Sequence, residues 1–368
     1  MGDIKLKKGT GILFVMAVLF ISSLIYLHYG DQNTLRVGIF YGSNWEVPGT
    51  VHYEILDQAI KKFESKYPNV KVEYEKGILS NDYSEWLSEQ ILKGTEPDVY
   101  LVLDEDFNTL ASLGALKNLD MLVGGDKEFD SNVFYSSVYK AGQYEGSQYA
   151  LPMECNPTLM FVNKTLLQKE GIKVPDNDWT WDDFYDICKT IVKDSDGDGQ
   201  MDQFGCYDYT WIQAVYSNGI TPFNQSGTSS NFLDEKFSQS LEFVKRLEAT
   251  NRNYQVTSND FDLGKVAFRP FTFSDYRTYM PYPWRIKKYS GFEWTCIRMP
   301  AGPSGDNRSE MSALMAGMSS RTEKKQCAWD FVKLLTTDTD IQKLVYEDTS
   351  AASVLKSVNT SQDTMNLL

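Results

Sequence analysis

Residues 149–190 read YALPMECNPTLMFVNKTLLQKEGIKVPDNDWTWDDFYDICKT. The stretch opens as an extended segment carrying Pro152 and Pro157, because a locked φ and a missing N–H keep proline out of helix interiors. Leu159 to Val162 follows as a strand, Asn163-Lys164 as a turn, and Thr165 to Glu170 as a short helix that leaves through Gly171-Ile172-Lys173-Val174-Pro175. Thr180 then precedes a run with Asp182 and Asp183 in its first turn. A hydroxyl that can accept from an orphan N–H, followed by carboxylates at the positive end of the helix dipole, marks a helix start.

Upstream, Leu35, Val37 and Ile39 alternate as a first strand that ends in Phe40-Tyr41-Gly42-Ser43-Asn44-Trp45. Leu56, Ile60, Phe63 and Tyr67 fall on one helical stripe, which Pro68 stops. Val70 to Tyr74 is a second strand, and a helix around Trp86, Leu87 and Ile91 leads through Pro97 to Asp98-Val99-Tyr100-Leu101-Val102-Leu103. That almost unbroken apolar run suits a strand buried on both faces of a parallel sheet. The unit is β-α-β-α-β. Ligands collect beyond the carboxyl ends of such strands, where the first strand offers Tyr41, Asn44 and Trp45 and the third offers Asp104, Glu105 and Asp106.

At 368 residues the chain exceeds one ordinary hydrophobic core, so two domains are expected. With 42% apolar and 14% aromatic residues it can fill both and leave rings for a binding surface. A net charge of −14 excludes a nucleic-acid partner, which demands a basic face. The first 30 residues differ in kind: Lys5, Lys7 and Lys8 precede an apolar run from Gly11 to Leu27. Without a clean small-x-small cleavage site, an uncleaved membrane anchor with its basic end in the cytoplasm is favoured over a cleaved signal peptide, and both imply export. Five dispersed cysteines, Cys155, Cys188, Cys206, Cys296 and Cys327, make neither a zinc motif nor a disulfide framework.

The order Tyr149-x-Leu151-Pro152, Asn163-Lys164, Gly171-Ile172-x-x-Pro175, Trp179-Thr180-Trp181-Asp182-x-Phe184 resembles the bacterial extracellular solute-binding proteins of ABC importers, in the maltose-binding-like sugar branch. Val162 stands where that pattern has a tyrosine before Asn-Lys. Further matches are the helix exit Leu110–Asp120, the Gly264-Lys265-x-Ala267-Phe268 segment, Ile297–Pro303, and Ala328-Trp329-x-Phe331-x-Lys333-x-Leu335. The resemblance implies a two-lobed α/β fold with discontinuous lobes, a hinge and a ligand cleft between them. The expected division is 1–30 as anchor or signal, 31–151 as first lobe, 152–258 as second lobe, 259–310 returning to the first lobe, and 311–368 as hinge and C-terminal helices of the second. The chain ends sooner after the Ala328 helix than the family pattern does, so those closing helices are expected to be shortened.

Sugar recognition needs flat aromatic faces and a ring of carboxylates and amides. Position at strand ends or lobe crossings selects Tyr41, Asn44, Trp45, Asp104, Glu154, Asn156, Tyr209, Trp211, Phe273, Tyr276 and Arg277 as ligand-binding candidates. Trp179, Trp181 and Trp329 are assigned to helix packing. Asp194-x-Asp196-x-Asp198-Gly199-Gln200-x-Asp202 can converge alternate carboxylates, with the Gln200 carbonyl, on a structural Ca2+ ion. Position twelve of an EF-hand loop would be Gly205, so its bidentate glutamate is missing; the loop resembles the shortened calcium loops of some solute-binding proteins.

The histidines, His28 and His52, give nucleophilic catalysis almost no material, and no phosphate-binding glycine loop is present. The expectation is a monomeric, exported carbohydrate-binding protein, for an oligosaccharide, that delivers its ligand to ABC permease subunits by cleft closure and is not an enzyme. Two other readings stay open: a sugar sensor without transport, and a glycoside-active enzyme using paired carboxylates.

Overall fold

The computed structural model describes residues 33–45, 52–224, 226–279 and 291–361. The expected membrane segment, residues 11–27, lies outside them. Among the described residues no helix is long and apolar enough to cross a membrane.

The first lobe begins with strand β1 (Thr34–Gly38), helix α1 (His52–Lys66), β2 (Lys71–Tyr74), α2 (Tyr83–Lys93), β3 (Val99–Val102) and α3 (Asp104–Ser112). β1 pairs in parallel with β2, Leu35 opposite Val72, and with β3, Val37 opposite Val99. This is the β-α-β-α-β unit the periodicity predicts.

Beyond a short hairpin at Gln143–Gln148, the next long strand, β4, runs 14 residues from Ala150 to Asn163, long enough at strand rise to extend about 45 Å. It replaces the expected extended segment plus short strand with one continuous element. Its first half pairs antiparallel with β8 (Met311–Met318), Pro157 opposite Met311 and Leu151 opposite Ala316. Its second half pairs antiparallel with β6 (Val266–Thr272), Thr158 opposite Thr272 and Val162 opposite Phe268, and with β7 (Trp294–Ile297). β5 (Phe204–Cys206) lies parallel to β6. β4 therefore changes partners between Pro157 and Thr158. Between Leu314 opposite Glu154 and Met315 opposite Pro152 the register shifts and leaves Met153 of β4 as the extra residue, next to Pro152, whose missing amide donor makes an irregular ladder tolerable.

Three helices of the second lobe matter for the site: α4 (Trp181–Ile191), α5 (Trp211–Ser217) and α6 (Glu235–Glu248). At the start of α4 Thr180 accepts from Asp183 N–H while Asp183 accepts from Thr180 N–H, a capping box at the expected position. After β6 come α7 (Phe273–Tyr279) and β7; after β8 come α8 (Lys325–Thr337), α9 (Thr339–Asp348) and the short strand β9 (Ala352–Ser353), which pairs with Cys155 and Glu154 of β4.

These pairings correct the expected lobe boundaries. Residues 259–310, expected in the first lobe, supply β6, α7 and β7 to the second-lobe sheet; Phe268 and Ile297 join the second core with Trp179, Trp181 and Phe184. Residues 311–361, expected to close the second lobe, place β8 between β3 and β4 and bury Trp329, Phe331 and Val332 in the first core. A third cluster, Phe134, Cys155, Tyr346, Val354 and Leu355, packs around the hinge. All five cysteines are free thiols.

Candidate functional site

The partner switch in β4 puts the carboxyl ends of β1 and β3, the amino end of β8 and the start of α7 at one end of the sheet. On the first-lobe wall, Trp45 follows β1 in a turn with Asn44 and Ser43; its backbone N–H donates to Ser43 Oγ at 2.9 Å. Its indole Nε1 donates to Glu154 Oε2 at 2.7 Å, anchoring the ring on the hinge strand, where Glu154 is fully buried. Tyr41 is 45% exposed and stands 5.7 Å from Tyr53, which is 5.4 Å from Tyr74.

Asp104 is the first residue of α3 and is exposed to solvent. Burial, then the charges of Glu105 and Glu310, push its carboxyl up to about 6, against a hydrogen bond from the Ala313 amide. Glu310 precedes β8, and its backbone carbonyl accepts from Thr158 N–H at 3.0 Å, at the partner switch itself. Burial raises the Glu310 carboxyl as well. From the second lobe, Tyr216 on α5 faces this pair: its phenol is raised by burial, then by Glu310, then by Asp104.

Glu310 and Tyr216 were not among the residues the sequence selects. The strand-end rule looks to carboxyl ends, and β8, being antiparallel to β3, brings its amino end there instead. Tyr216 sits within Ala214-Val215-Tyr216-Ser217, which reads as an ordinary core stripe.

Several selected residues have other duties. Tyr209 is buried in the second core, its ring 5.0 Å from Phe184 and its hydroxyl 3.1 Å from Trp181 Nε1, which donates to it. Asn156 is occupied at both ends by Ser274: Nδ2 donates to Oγ and Oδ1 accepts the backbone N–H, each at 2.9 Å. Arg277 donates to the Tyr346 carbonyl at 2.8 Å and lies 4.3 Å over that ring. Phe273 and Tyr276 stack at 5.8 Å, and Tyr276 packs on Phe161 and Trp294. Asn156, Phe273, Tyr276 and Arg277 thus seat α7 between the hinge and α9. Trp211 keeps an exposed ring at the start of α5.

In the aspartate loop Asp194 accepts from Gly197 N–H at 2.6 Å and Gly199 N–H at 2.7 Å. Both glycines have positive φ, +83° and +91°, which lets the chain turn back on itself. Asp194, Asp196 and Asp202 can each bring a carboxylate oxygen within 4.8 Å of the others. Asp198 is not in this group, and its Oδ1 accepts from Gln200 N–H at 2.7 Å. Three hard oxygens suit a Ca2+ ion, which takes the remainder from carbonyls or water.

A cavity of about 720 Å3 opens away from the cleft, lined by Arg36, Glu96, Asp98, Arg321 and Lys324. Lys324–Asp98 at 3.1 Å and Arg321–Glu96 at 3.2 Å already pair its charges.

Two α/β lobes on one shared strand, with facing polar walls at the hinge, define the class of two-lobed, hinged binding proteins. The chain belongs to the bacterial extracellular solute-binding protein family, whose pattern matches residues 48–341. Among curated relatives it is 28% identical over 140 residues to the "Multiple sugar-binding protein" of Streptococcus mutans serotype c, covering 37% of this chain and 30% of that protein. It is 26% identical over 211 residues to the "Diacetylchitobiose binding protein DasA" of Streptomyces coelicolor, covering 56% and 47%. The chain thus spans less than half the length of either relative. Among solved structures, the sugar-binding protein MalE from the phytopathogen Xanthomonas citri superposes with a TM-score of 0.71 at 16% identity, covering 90% of this chain and 82% of that one. An ABC substrate-binding protein from Listeria monocytogenes in complex with cycloalternan gives 0.62 at 22%, with coverage of 90% and 82%. At these identities the structural likeness speaks for the fold.

Proposed function

We propose that this protein is an exported receptor that captures a carbohydrate between its lobes and presents it to the permease of an ABC importer. The observation that carries the reading is that Asp104 and Glu310 of the first lobe lie near enough to Tyr216 of the second to raise its phenol, while Trp45 is anchored on the hinge strand through Glu154. Carboxylates and a phenol can take sugar hydroxyls while aromatic faces cover the C–H sides of the ring. Ligand that touches both walls binds the closed form better than the open one, and that differential affinity drives closure. The closed shape is what a permease would read. The sugar-binding relatives support a sugar as the ligand class. The binding family supports capture over turnover, so the ligand is expected to leave unaltered. Anchoring through residues 11–27 and a monomeric state complete the proposal.

Isothermal titration of the full chain against neutral oligosaccharides tests it. Binding that Glu310→Gln and Tyr216→Phe each weaken by about tenfold is expected, as charge-assisted and neutral hydrogen bonds would predict. Absence of heat with every sugar, or hydrolysis of one of them, would overturn it.

The aspartate loop is proposed as a structural Ca2+ site built on Asp194, Asp196 and Asp202. Calcium should raise the melting temperature and EDTA reverse the gain, with Asp194→Asn insensitive to both. An unchanged melt in calcium would remove the ion from the account.

A further inference from the structure

Between helices α4 and α6 of the second lobe a cavity of about 410 Å3 opens to solvent. Trp181 and Phe243 line it, stacked 4.2 Å apart and within 5° of parallel. Trp181 spends its polar edge inward, Nε1 donating to Tyr209 Oη and Ser217 Oγ, so what the stack offers the cavity is apolar. Ala301, Gly302 and Pro303 form a further wall, and that wall is fixed. The Ala301 carbonyl accepts from Trp181 N–H and Gly302 N–H donates to the Ser217 carbonyl, each at 2.9 Å, while a Cβ on Gly302 would lie 2.7 Å from Asn218 Oδ1. A recess that is already shaped can receive a side chain at little ordering cost.

Charge says what the recess takes. Glu235, Gln239, Glu242 and Arg246 recur on one stripe of α6. Arg246 is committed: its guanidinium lies 4.3 Å from the Tyr185 ring and 3.5 Å from Asp182 Oδ1. Glu235 and Glu242 are exposed and have no ion pair with a described lysine or arginine. Gln239 Nε2 donates to Glu235 Oε1 at 3.2 Å, and Gln239 Oε1, closed off from water, has no donor among the described residues. The lip therefore asks for N–H groups and positive charge, and the floor asks for an apolar body. A side chain without charge, flanked by lysine or arginine, answers both. An anionic lipid surface would be repelled by the same lip.

We infer that this recess is a docking point for a protein partner, which inserts one leucine-, phenylalanine- or tryptophan-sized side chain between α4 and α6 and lays a neighbouring lysine or arginine along Glu235 and Glu242. The fixed wall is also the start of the connection between the lobes. From Pro303 the chain runs through Asn307, whose Nδ2 donates to the Trp179 and Met299 carbonyls at 2.7 and 2.9 Å, to Glu310 and β8. The partner thus grips the second lobe beside its junction with the first and leaves the ligand site free. The inference holds whatever the ligand is.

The test titrates the full chain, by fluorescence polarisation, with labelled peptides of the form Lys-Arg-X-Arg-Lys in which X is leucine, phenylalanine or tryptophan. The tightest binder is then remade with benzoylphenylalanine at X, cross-linked by light, and its attachment mapped by mass spectrometry. Saturable binding is expected, weakened about tenfold when X is serine and several-fold by salt raised from about 0.05 to about 0.5 M. Attachment should fall within residues 180–182, 239–246 or 301–303. Glu235→Lys/Glu242→Lys should weaken binding about tenfold. Glu75→Lys/Glu85→Lys, the same change of charge on the first lobe, should hold it within about twofold, and Glu235→Gln/Glu242→Gln, a gentler change at the start of α6, should give an intermediate loss without lowering the melting temperature. No saturable binding by any peptide, binding indifferent to X, or attachment elsewhere overturns the docking point. So does equal loss from the two charge reversals, which would reduce the attraction to the net charge of −14.

Discussion

Asp104 and Asp126 show the same side chain driven in opposite directions by its surroundings. At Asp104 burial and the neighbouring Glu105 and Glu310 hold the proton on up to about pH 6, whereas an unfolded chain releases it near ~3.9. This group therefore favours the fold most below about pH 4, and that contribution disappears as pH rises through 6. Asp104→Asn should flatten the stability profile between those values, as followed by thermal melts across pH; an unaltered slope would count against the assignment. At Asp126 burial again opposes ionisation, but hydrogen bonds from Lys333 and Trp329 outweigh it and hold the carboxyl at about 2. Lys333 Nζ lies 2.6 Å and Trp329 Nε1 2.9 Å from Asp126 Oδ2. Here stability is present above about pH 4 and lost as pH falls towards 2. Asp126→Asn should cost about 1–2 kcal/mol at neutral pH, read from urea midpoints, and the difference should shrink in acid. Residue-level function was the part least legible beforehand. Tyr209 and Arg277 have the right chemistry at conspicuous places, but sequence does not say which polar groups are already satisfied; Trp181, Ser217 and Tyr346 satisfy these two.

Local signals at the level of elements were dependable where chemistry is local. The Thr180 cap and the alternating strand at Leu35 stand where the residues place them, while the expected Asn163-Lys164 turn is a helix cap, Asn163 accepting from Leu166 N–H. Lobe membership was misjudged because it depends on pairing between distant strands. The segment Val266–Thr272 is equally apolar in either sheet, and only its register along Thr158–Val162 assigns it to the second lobe. Helix α7 follows that strand and is tied back to β4 by the Asn156–Ser274 pair. Asn156→Ala would strip partners from the buried Ser274 amide and hydroxyl, at a cost of about 1–3 kcal/mol. It should also shift ligand affinity without touching ligand, because α7 sits where the lobes hinge. Titration and small-angle scattering on this variant would separate the effects: lowered stability with unchanged affinity and unchanged open dimensions would make the pair a purely local clamp.

The molecule as a whole is two cores threaded by one strand and a returning C-terminal segment. Trp329 and Phe331 fill the first core, and burial of rings that size contributes about 1.5–3 kcal/mol each. Since β4 is central to both sheets, losing either lobe strips ladder partners from the other. Calorimetry should therefore show a single cooperative transition that saturating ligand moves upward. Two separated transitions, with only one responding to ligand, would mean that the lobes melt independently.

The unbroken run of β4 also limits how such a receptor can be rebuilt. A chimera that borrows one lobe from a homologue must place its breakpoint inside Ala150–Asn163, where side chains alternate between faces. An insertion or deletion of one residue there would turn the downstream half inside out. Productive crossovers should be confined to in-frame joins at Pro157-Thr158, the one position where the strand exchanges its neighbours.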